Sequence, residues 1–404
     1  MHFSLAKPSD DDIVIVSGCR SAITKAKKGG LSSLKADQIL AEVLKDLIKR
    51  TPEIQLEEIG DIVIGSVLQP GGGQAMARVA MFEAGFPYKI PVATINRQCA
   101  SGLEAVAAVV GHIMAGDYRV GVAGGVESMS STTFQNARPV VDSKSVKTEP
   151  NAAACMIPMG LTSDNIANRF EISRMDQDRF ALKSHRKAEA ARQGGKFAQE
   201  ITVIGKAVMD DGVRPGTSME ALSALKPAFS KPSSGGTTTA GNSSQLSDGA
   251  AAMLVCKGKT VKELNLPMLC LWRAYAVVGV PPDIMGIGPA FAIPVAVRKA
   301  GLSLDDIDVF EINEAFAAQI VFCIKFLGLR EDRVNPLGGA IALGHPLGSS
   351  GARLLVTAAN FLQANNKRYA AISLCVGTGM GAAAVIENPH YDPSTDEAKS
   401  RAKL

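Results

Sequence analysis

Apolar and polar residues along the chain fall into two successions that repeat. A helical stretch, Ala41 to Arg50, leads into Ile59–Gly65, a short apolar run of strand type; much later Ile293 to Ala300 leads into a run of the same type at Ile307–Ile312. Behind each comes a second pair. Gly102 to Ala115 is apolar nearly all round, interrupted by Glu104 and His112, and precedes the strand-like Val120–Ala123; its counterpart, Ala352 to Gln363, precedes Ala370–Leu374. A helix with no polar face belongs between layers rather than on a surface. Strands alternating with helices predict βαβ units and mostly parallel sheets, here in two similar halves.

The rhythm breaks between Ser130 and Ser247. Pro139, Pro150, Pro158, Pro215, Pro227 and Pro232, with the run Ser233-Ser234-Gly235-Gly236, mark an inserted loop domain that keeps some helix, notably Asp176 to Arg192. The expected organisation is an N-terminal half over 1–129 completed by about 248–269, a loop domain over 130–247, a C-terminal half over 270–392, and a polar tail over 393–404.

Composition narrows the partners. With 404 residues, 46% hydrophobic and 20% charged, the chain is long enough to bury a large core. The net charge of +4 comes without a run of five or six Lys/Arg, so nucleic acid is not expected as a partner. Seven cysteines (19, 99, 155, 256, 270, 323 and 375) form no CxxC pair and no cluster with the five histidines, which argues against a disulfide framework or a metal site and for a reducing compartment. Residues 1–12 hold no apolar run of secretory type. The uncharged stretches Val334–Ala352 and Tyr369–Ile386 are broken by Gly, Ser and Thr, so no membrane span is expected.

Three segments carry chemistry. Cys99 stands in Asn96-Arg97-Gln98-Cys99-Ala100-Ser101-Gly102-Leu103, and Cys375 begins Cys375-Val376-Gly377-Thr378-Gly379-Met380-Gly381. Gly344-His345-Pro346-Leu347-Gly348 lies between them. Together they read as a thiol nucleophile, a second thiol acting as acid and base, and an imidazole to take the first thiol's proton, a set suited to acyl transfer through a thioester. Cys99 falls at or just before the N-terminus of the Gly102–Ala115 helix, where unpaired N–H groups and the helix dipole are expected to lower the thiol pKa. His345 is expected to be near half-titrated around neutral pH. His2, His112, His185 and His390 read as structural or solvated.

These motifs, with Asn313-Glu314-Ala315-Phe316, Gly338 to Pro346 and Thr239-Ala240-Gly241-Asn242, resemble the thiolase family from about Asp12 to Pro389, and more specifically its degradative 3-ketoacyl-CoA branch. The resemblance implies an α/β thiolase fold: two βαβ-type halves in a five-layer αβαβα arrangement, with the loop domain over the CoA site. It implies an acyltransferase that cleaves 3-ketoacyl-CoA with coenzyme A to acetyl-CoA and a shortened acyl-CoA, the last step of a fatty-acid β-oxidation cycle. Coenzyme A would be the cosubstrate, with no metal or redox cofactor, and the assembly a homodimer.

Residue by residue, the resemblance makes Cys99 the nucleophile and His345 its base. His345, with a water held by Asn313, would also form the oxyanion hole for the thioester oxygen of the departing enolate. Cys375 would protonate that enolate and deprotonate the incoming CoA thiol. The N–H groups of Cys99 and Gly377 would form the other oxyanion hole, Gly377 letting the backbone approach without a Cβ in the way. Ser244 falls where the pantetheine arm is contacted, Arg214 by the adenine, and Met159 in the acyl pocket. Biosynthetic acetoacetyl-CoA members often carry His where Pro158 stands, and peroxisomal members resemble the form with Leu337.

The terminal Ala402-Lys403-Leu404 resembles the type 1 peroxisomal signal, implying the peroxisome as compartment and its import receptor as a partner. Two other functions use the same residues. An acetoacetyl-CoA thiolase working in condensation would be separated by chain-length kinetics. A non-catalytic acyl-CoA-binding protein on the thiolase fold is opposed by the intact set of Cys99, His345, Asn313 and Cys375. A condensing ketosynthase, which pairs Cys with His-His or His-Asn, is opposed by Cys375.

Overall fold

Two half-sheets of the same strand order meet at one edge. The computed structural model describes residues 8–134 and 140–395. Strands β1 (Ile13–Ser21), β2 (Ile59–Gly65), β3 (Val92–Ile95), β4 (Val120–Ser128), β5 (Ser247–Lys257), β6 (Cys270–Gly279), β7 (Val309–Ile312), β8 (Tyr369–Val376) and β9 (Met380–Glu387) lie in the order β3-β2-β4-β5-β1-β6-β9-β8-β7. From the middle outward, β1-β5-β4-β2 is matched by β6-β9-β8-β7. Where the first half ends in β3, the second has a single parallel bridge from Phe310 to Val334. The join is short: Ile13, Val14 and Ile15 pair antiparallel with Trp272, Leu271 and Cys270.

The layers follow from the periodicities. Helices are α1 (Ala36–Lys49), α2 (Gln74–Glu83), α3 (Ser101–Ala115), α4 (Met159–Arg169), α5 (Arg174–Gln193), α6 (Gly288–Lys299), α7 (Ala317–Leu327) and α8 (Leu347–Ala364). In α1 the buried positions Ala36, Ile39, Leu40, Val43, Leu44 and Leu47 make one helical stripe, which with α2 covers the outer face of the first half-sheet. Helices α3 and α8 fill the space between the half-sheets, and α6 and α7 cover the far face of the second. Along β9 the parity shows directly: Ala382, Ala384 and Ile386 face the middle layer while Ala383 and Val385 face the outer one. The result is the five-layer αβαβα arrangement.

The expectation of mostly parallel sheets does not hold. β2 runs parallel to β3 and β4, and β7 to β8, but β5, β1, β6 and β9 are antiparallel to their neighbours on the main path. Helices cover both faces of each half-sheet, so an antiparallel strand here shows no polar face. In β5 every residue but the last is buried, the continuous apolar run usually shown by a parallel strand.

Two contacts lock these layers together. Helices α3 and α8 cross with their backbones touching: a Cβ on Gly102 would lie 2.7 Å from the Gly348 carbonyl oxygen, and one on Gly351 would lie 2.4 Å from the Leu103 nitrogen. This brings the turn before α3, which carries Cys99, beside the turn before α8, which carries His345. In the other contact Arg20, buried in β1, donates to Glu200 at 2.6 Å and to Asp210 at 2.7 and 2.9 Å, fastening the 130–247 region to the first half-sheet. The segment Gln98–Ala115 is long and apolar enough to cross a membrane, but its helix α3 is a core helix buried between the half-sheets.

Candidate active site

Cys99 sits in a turn that its own polar groups hold shut. After β3 the chain passes through Gln98 in the left-handed region, φ 47°. The Gln98 N–H donates to Asn96 Oδ1 at 2.9 Å, and Ser101 Oγ accepts the Arg97 N–H at 2.9 Å and donates to the Gln98 carbonyl at 2.6 Å. Arg97 grips Glu104 through two bonds, 2.5 and 3.1 Å, and Tyr275 of β6 donates to the same carboxylate. At the end of this frame Cys99 is buried, with the backbone N–H groups of Gly377 and of Cys99 itself close enough to pull its thiol pKa down.

Cys375 ends β8, fully buried among Met285, Ala315 and the partly buried Met159 and Phe316. The turn after it holds Thr378 at φ 72° and Gly379 at φ 94°, and presents the Gly377 N–H to Cys99. A Cβ on Gly377 would meet Gln98 at 3.5 Å, an ordinary contact within the protein. The crowded glycines of the loop are Gly379 and Gly381, where a Cβ would lie 2.5 Å from the Val280 and 2.1 Å from the Gly288 carbonyl oxygens.

His345 lies in the turn before α8. Its Nδ1 is 2.6 Å from Ser350 Oγ, and its Nε2 is 3.2 Å from Asn313 Nδ2. Asn313 follows β7, with its N–H on the Ser373 carbonyl of β8 at 2.8 Å. Asn313 therefore touches His345 directly.

Burial sets the protonation of the site, and it reverses two expectations. Desolvation pushes the Cys99 thiol up to about 11; the N–H groups of Gly377 and Cys99 pull it down by less, and the Glu127 carboxylate adds to the rise. The N-terminus of α3 does not win. His345, expected near half-titration, is pushed down to about 3 by burial and then by the positive charge of Arg353, itself buried 3.8 Å from Glu311. Cys375 is held well above the usual thiol range by burial and by the neighbouring Cys99 and Cys323. At neutral pH burial thus favours the uncharged form of all three groups.

A cavity of about 390 Å³ opens over Cys99 and His345. Its wall is apolar, built from Met129, Phe134, Phe229, Leu246, Phe316 and Leu347, and it includes the expected Met159 and Ser244 as well as Pro158. Ser244 is fixed by its N–H on the Ala315 carbonyl at 3.0 Å. Cys375, Asn313 and Gly377 stand behind this lining. Arg214 is exposed and outside it, anchored only through its backbone: its N–H donates to Nδ1 of the buried His185 at 3.3 Å.

Sequence reasoning passed over Glu127 and Ser350. Glu127 is fully buried at the end of β4, where its carboxyl accepts the N–H groups of Val67, Leu68 and Gly348, each at 3.1 Å, and is pushed up to about 7 by burial. A lone acid in Gly124-Gly125-Val126-Glu127-Ser128 is a readable signal, since an unpaired carboxyl does not enter a buried strand without donors. Phe229, on a loop, gives no such signal.

Comparison with known proteins finds relatives along nearly the whole chain. The family described as "Thiolase, N-terminal domain" matches residues 13–259 and "Thiolase, C-terminal domain" matches 266–388. The chain is 50% identical over 395 residues to the peroxisomal 3-ketoacyl-CoA thiolase A of Mus musculus, covering 94% of this chain and 92% of that one. It is 50% identical over 392 residues to the peroxisomal 3-ketoacyl-CoA thiolase of Homo sapiens, covering 94% and 91%. Among solved structures, the dimeric peroxisomal thiolase of Saccharomyces cerevisiae superposes with a TM-score of 0.90 at 43% identity, over 95% of this chain and 99% of that one.

Proposed function

The chain belongs to the thiolase family, and from that premise we propose that it cleaves 3-ketoacyl-CoA with coenzyme A in the peroxisome, as a homodimer, closing each round of fatty-acid β-oxidation. The observation that carries the reading is Cys99 and His345 lining one apolar cavity, with Cys375 packed behind its wall.

The residues divide the work so that every proton returns. His345 takes the Cys99 proton as the sulfur bonds to the 3-carbonyl carbon, and the alkoxide is met by the N–H groups of Cys99 and Gly377. The bond between carbons 2 and 3 breaks, leaving an acyl thioester on Cys99 and the enolate of acetyl-CoA. His345, now protonated, and Asn313 face the enolate's thioester oxygen, and Cys375 gives its proton to carbon 2. The Cys375 thiolate then takes the proton of the incoming CoA thiol, whose sulfur displaces Cys99; the Cys99 sulfur regains its proton from His345. All steps run on these side chains, backbone N–H groups and coenzyme A as cosubstrate. Met159 and Ser244 would meet the acyl chain and pantetheine arm, and Arg214, out on the surface, the adenine end. The terminal Ala402-Lys403-Leu404, outside the described residues, would address the protein to its import receptor.

The test is steady-state thiolysis on short, medium and long 3-ketoacyl-CoAs, with mass spectrometry of the enzyme after brief exposure to substrate. The expected result is turnover beyond acetoacetyl-CoA and an acyl group on Cys99 alone. Activity confined to acetoacetyl-CoA, or acylation of Cys375, would overturn it.

A further inference from the structure

The hydrogen bonds behind His345 have a direction. We propose that Ser350 is a positioning residue that keeps the proton of His345 on Nδ1 and so leaves Nε2 bare to receive the proton of Cys99. The inference rests on the thiolysis reading, in which His345 is the base.

Ser350 Oγ lies 2.6 Å from His345 Nδ1 and 3.2 Å from the carbonyl oxygen of Pro346, the residue that caps the N-terminus of α8. A serine hydroxyl has one hydrogen to give, and a carbonyl can only accept. With that hydrogen on Pro346, Oγ faces Nδ1 with a lone pair and requires Nδ1–H. The other side of the ring is compatible: Asn313 Nδ2 lies 3.2 Å from Nε2, a contact that suits an accepting Nε2. Ser350 is 1% and His345 4% exposed, so solvent does not compete for either nitrogen. The hydroxyl stands on the first turn of a helix whose crossing with α3 is fixed by Gly102 and Gly351. Without the hydroxyl, Nδ1–H loses its acceptor in a buried site, and only the Asn313 contact still favours an unprotonated Nε2.

The deciding measurement is nitrogen-15 NMR of the histidine-labelled enzyme at neutral pH, with the His345 signal assigned by its loss in His345→Asn. Nδ1 protonated and Nε2 bare is the expected result. In Ser350→Ala the signal should shift toward the Nε2-protonated form, and kcat for thiolysis should fall roughly 100-fold with KM little changed. A wild-type His345 protonated on Nε2, or a Ser350→Ala enzyme with unaltered kcat, would overturn the role of Ser350. If His345→Asn still acylates Cys99 at the wild-type rate, it is the base assignment that fails, a result separate from the tautomer signal.

Discussion

The backbones of Gly381 and Gly288 touch, so that a methyl group on Gly381 would stand 2.1 Å from the Gly288 carbonyl oxygen. Gly381 is also the cross-strand partner of Cys375. Because the obstacle is main chain, Gly381→Ala should separate β9 from α6, cost about 3 kcal/mol or more, and slow thiolysis by shifting Cys375. Gly377→Ala is the control for stability, since its Cβ would have ordinary room. Thermal unfolding of the two variants checks this, and a Gly381→Ala protein that melts with the wild type would mean that the sheet and helix part easily here.

Cys375→Ser keeps the size of the side chain but moves its pKa far from that of the thiols it exchanges protons with. Thiolysis and the exchange of acetyl-CoA α-hydrogens with deuterated water should fall together, by roughly 10²-fold or more. Acylation of Cys99 by a reactive acyl-CoA, which involves no enolate, should survive. Normal α-exchange in the variant would remove Cys375 from the proton transfers.

Alkylation of Cys99 by iodoacetamide reads its thiolate directly. With the thiol pushed up to about 11, the rate in the free enzyme should be slow at neutral pH and still rising beyond 9.0, the ordinary thiol value. A plateau near neutrality would show that a thiolate–imidazolium pair already exists in the resting site.

Glu127→Gln separates charge from hydrogen bonding. The folded protein holds the Glu127 proton up to about pH 7, whereas the unfolded chain releases it around 4.5, so this group's stabilisation is complete below 4.5 and is lost as pH rises toward 7. The stability advantage of wild type over Glu127→Gln should therefore shrink across that window by on the order of 3 kcal/mol. Denaturant melts at several pH values check it. Above pH 7 the variant should also alkylate faster at Cys99, since the carboxylate charge that raises the thiol is gone.

Deleting Ala402, Lys403 and Leu404 should leave thiolysis intact and move a tagged protein from peroxisomes to the cytosol. Continued accumulation in peroxisomes would point to another signal or to import alongside a partner.

The two halves were legible because helical stripes and buried strands keep different periods, and the Cys99, His345 and Cys375 segments because small residues flank each of them. Strand direction was not, since β5 buries both faces whichever way it runs. The protonation of Cys99 and His345 was misjudged for a related reason: a helix terminus is visible in sequence, whereas the depth of burial that outweighs it depends on α8 packing across α3. Ser350 was invisible as a partner of His345 because its hydroxyl matters only once the turn through Pro346 brings it under the ring. Arg214 illustrates the opposite case, a position fixed by motif whose side chain points into solvent.

The middle layer belongs to neither half alone. Helix α3 lies on the first half-sheet and against α8, while α8 lies against α3 and reaches strands of both halves. A chain of half the length would leave bare the face of α3 that α8 now covers, a face the same helix from another copy could fill. If the repeat arose by gene duplication, the half-length ancestor had to be a two-fold dimer before it was fused, and the Gly102–Gly351 crossing marks where the symmetry axis of that dimer ran.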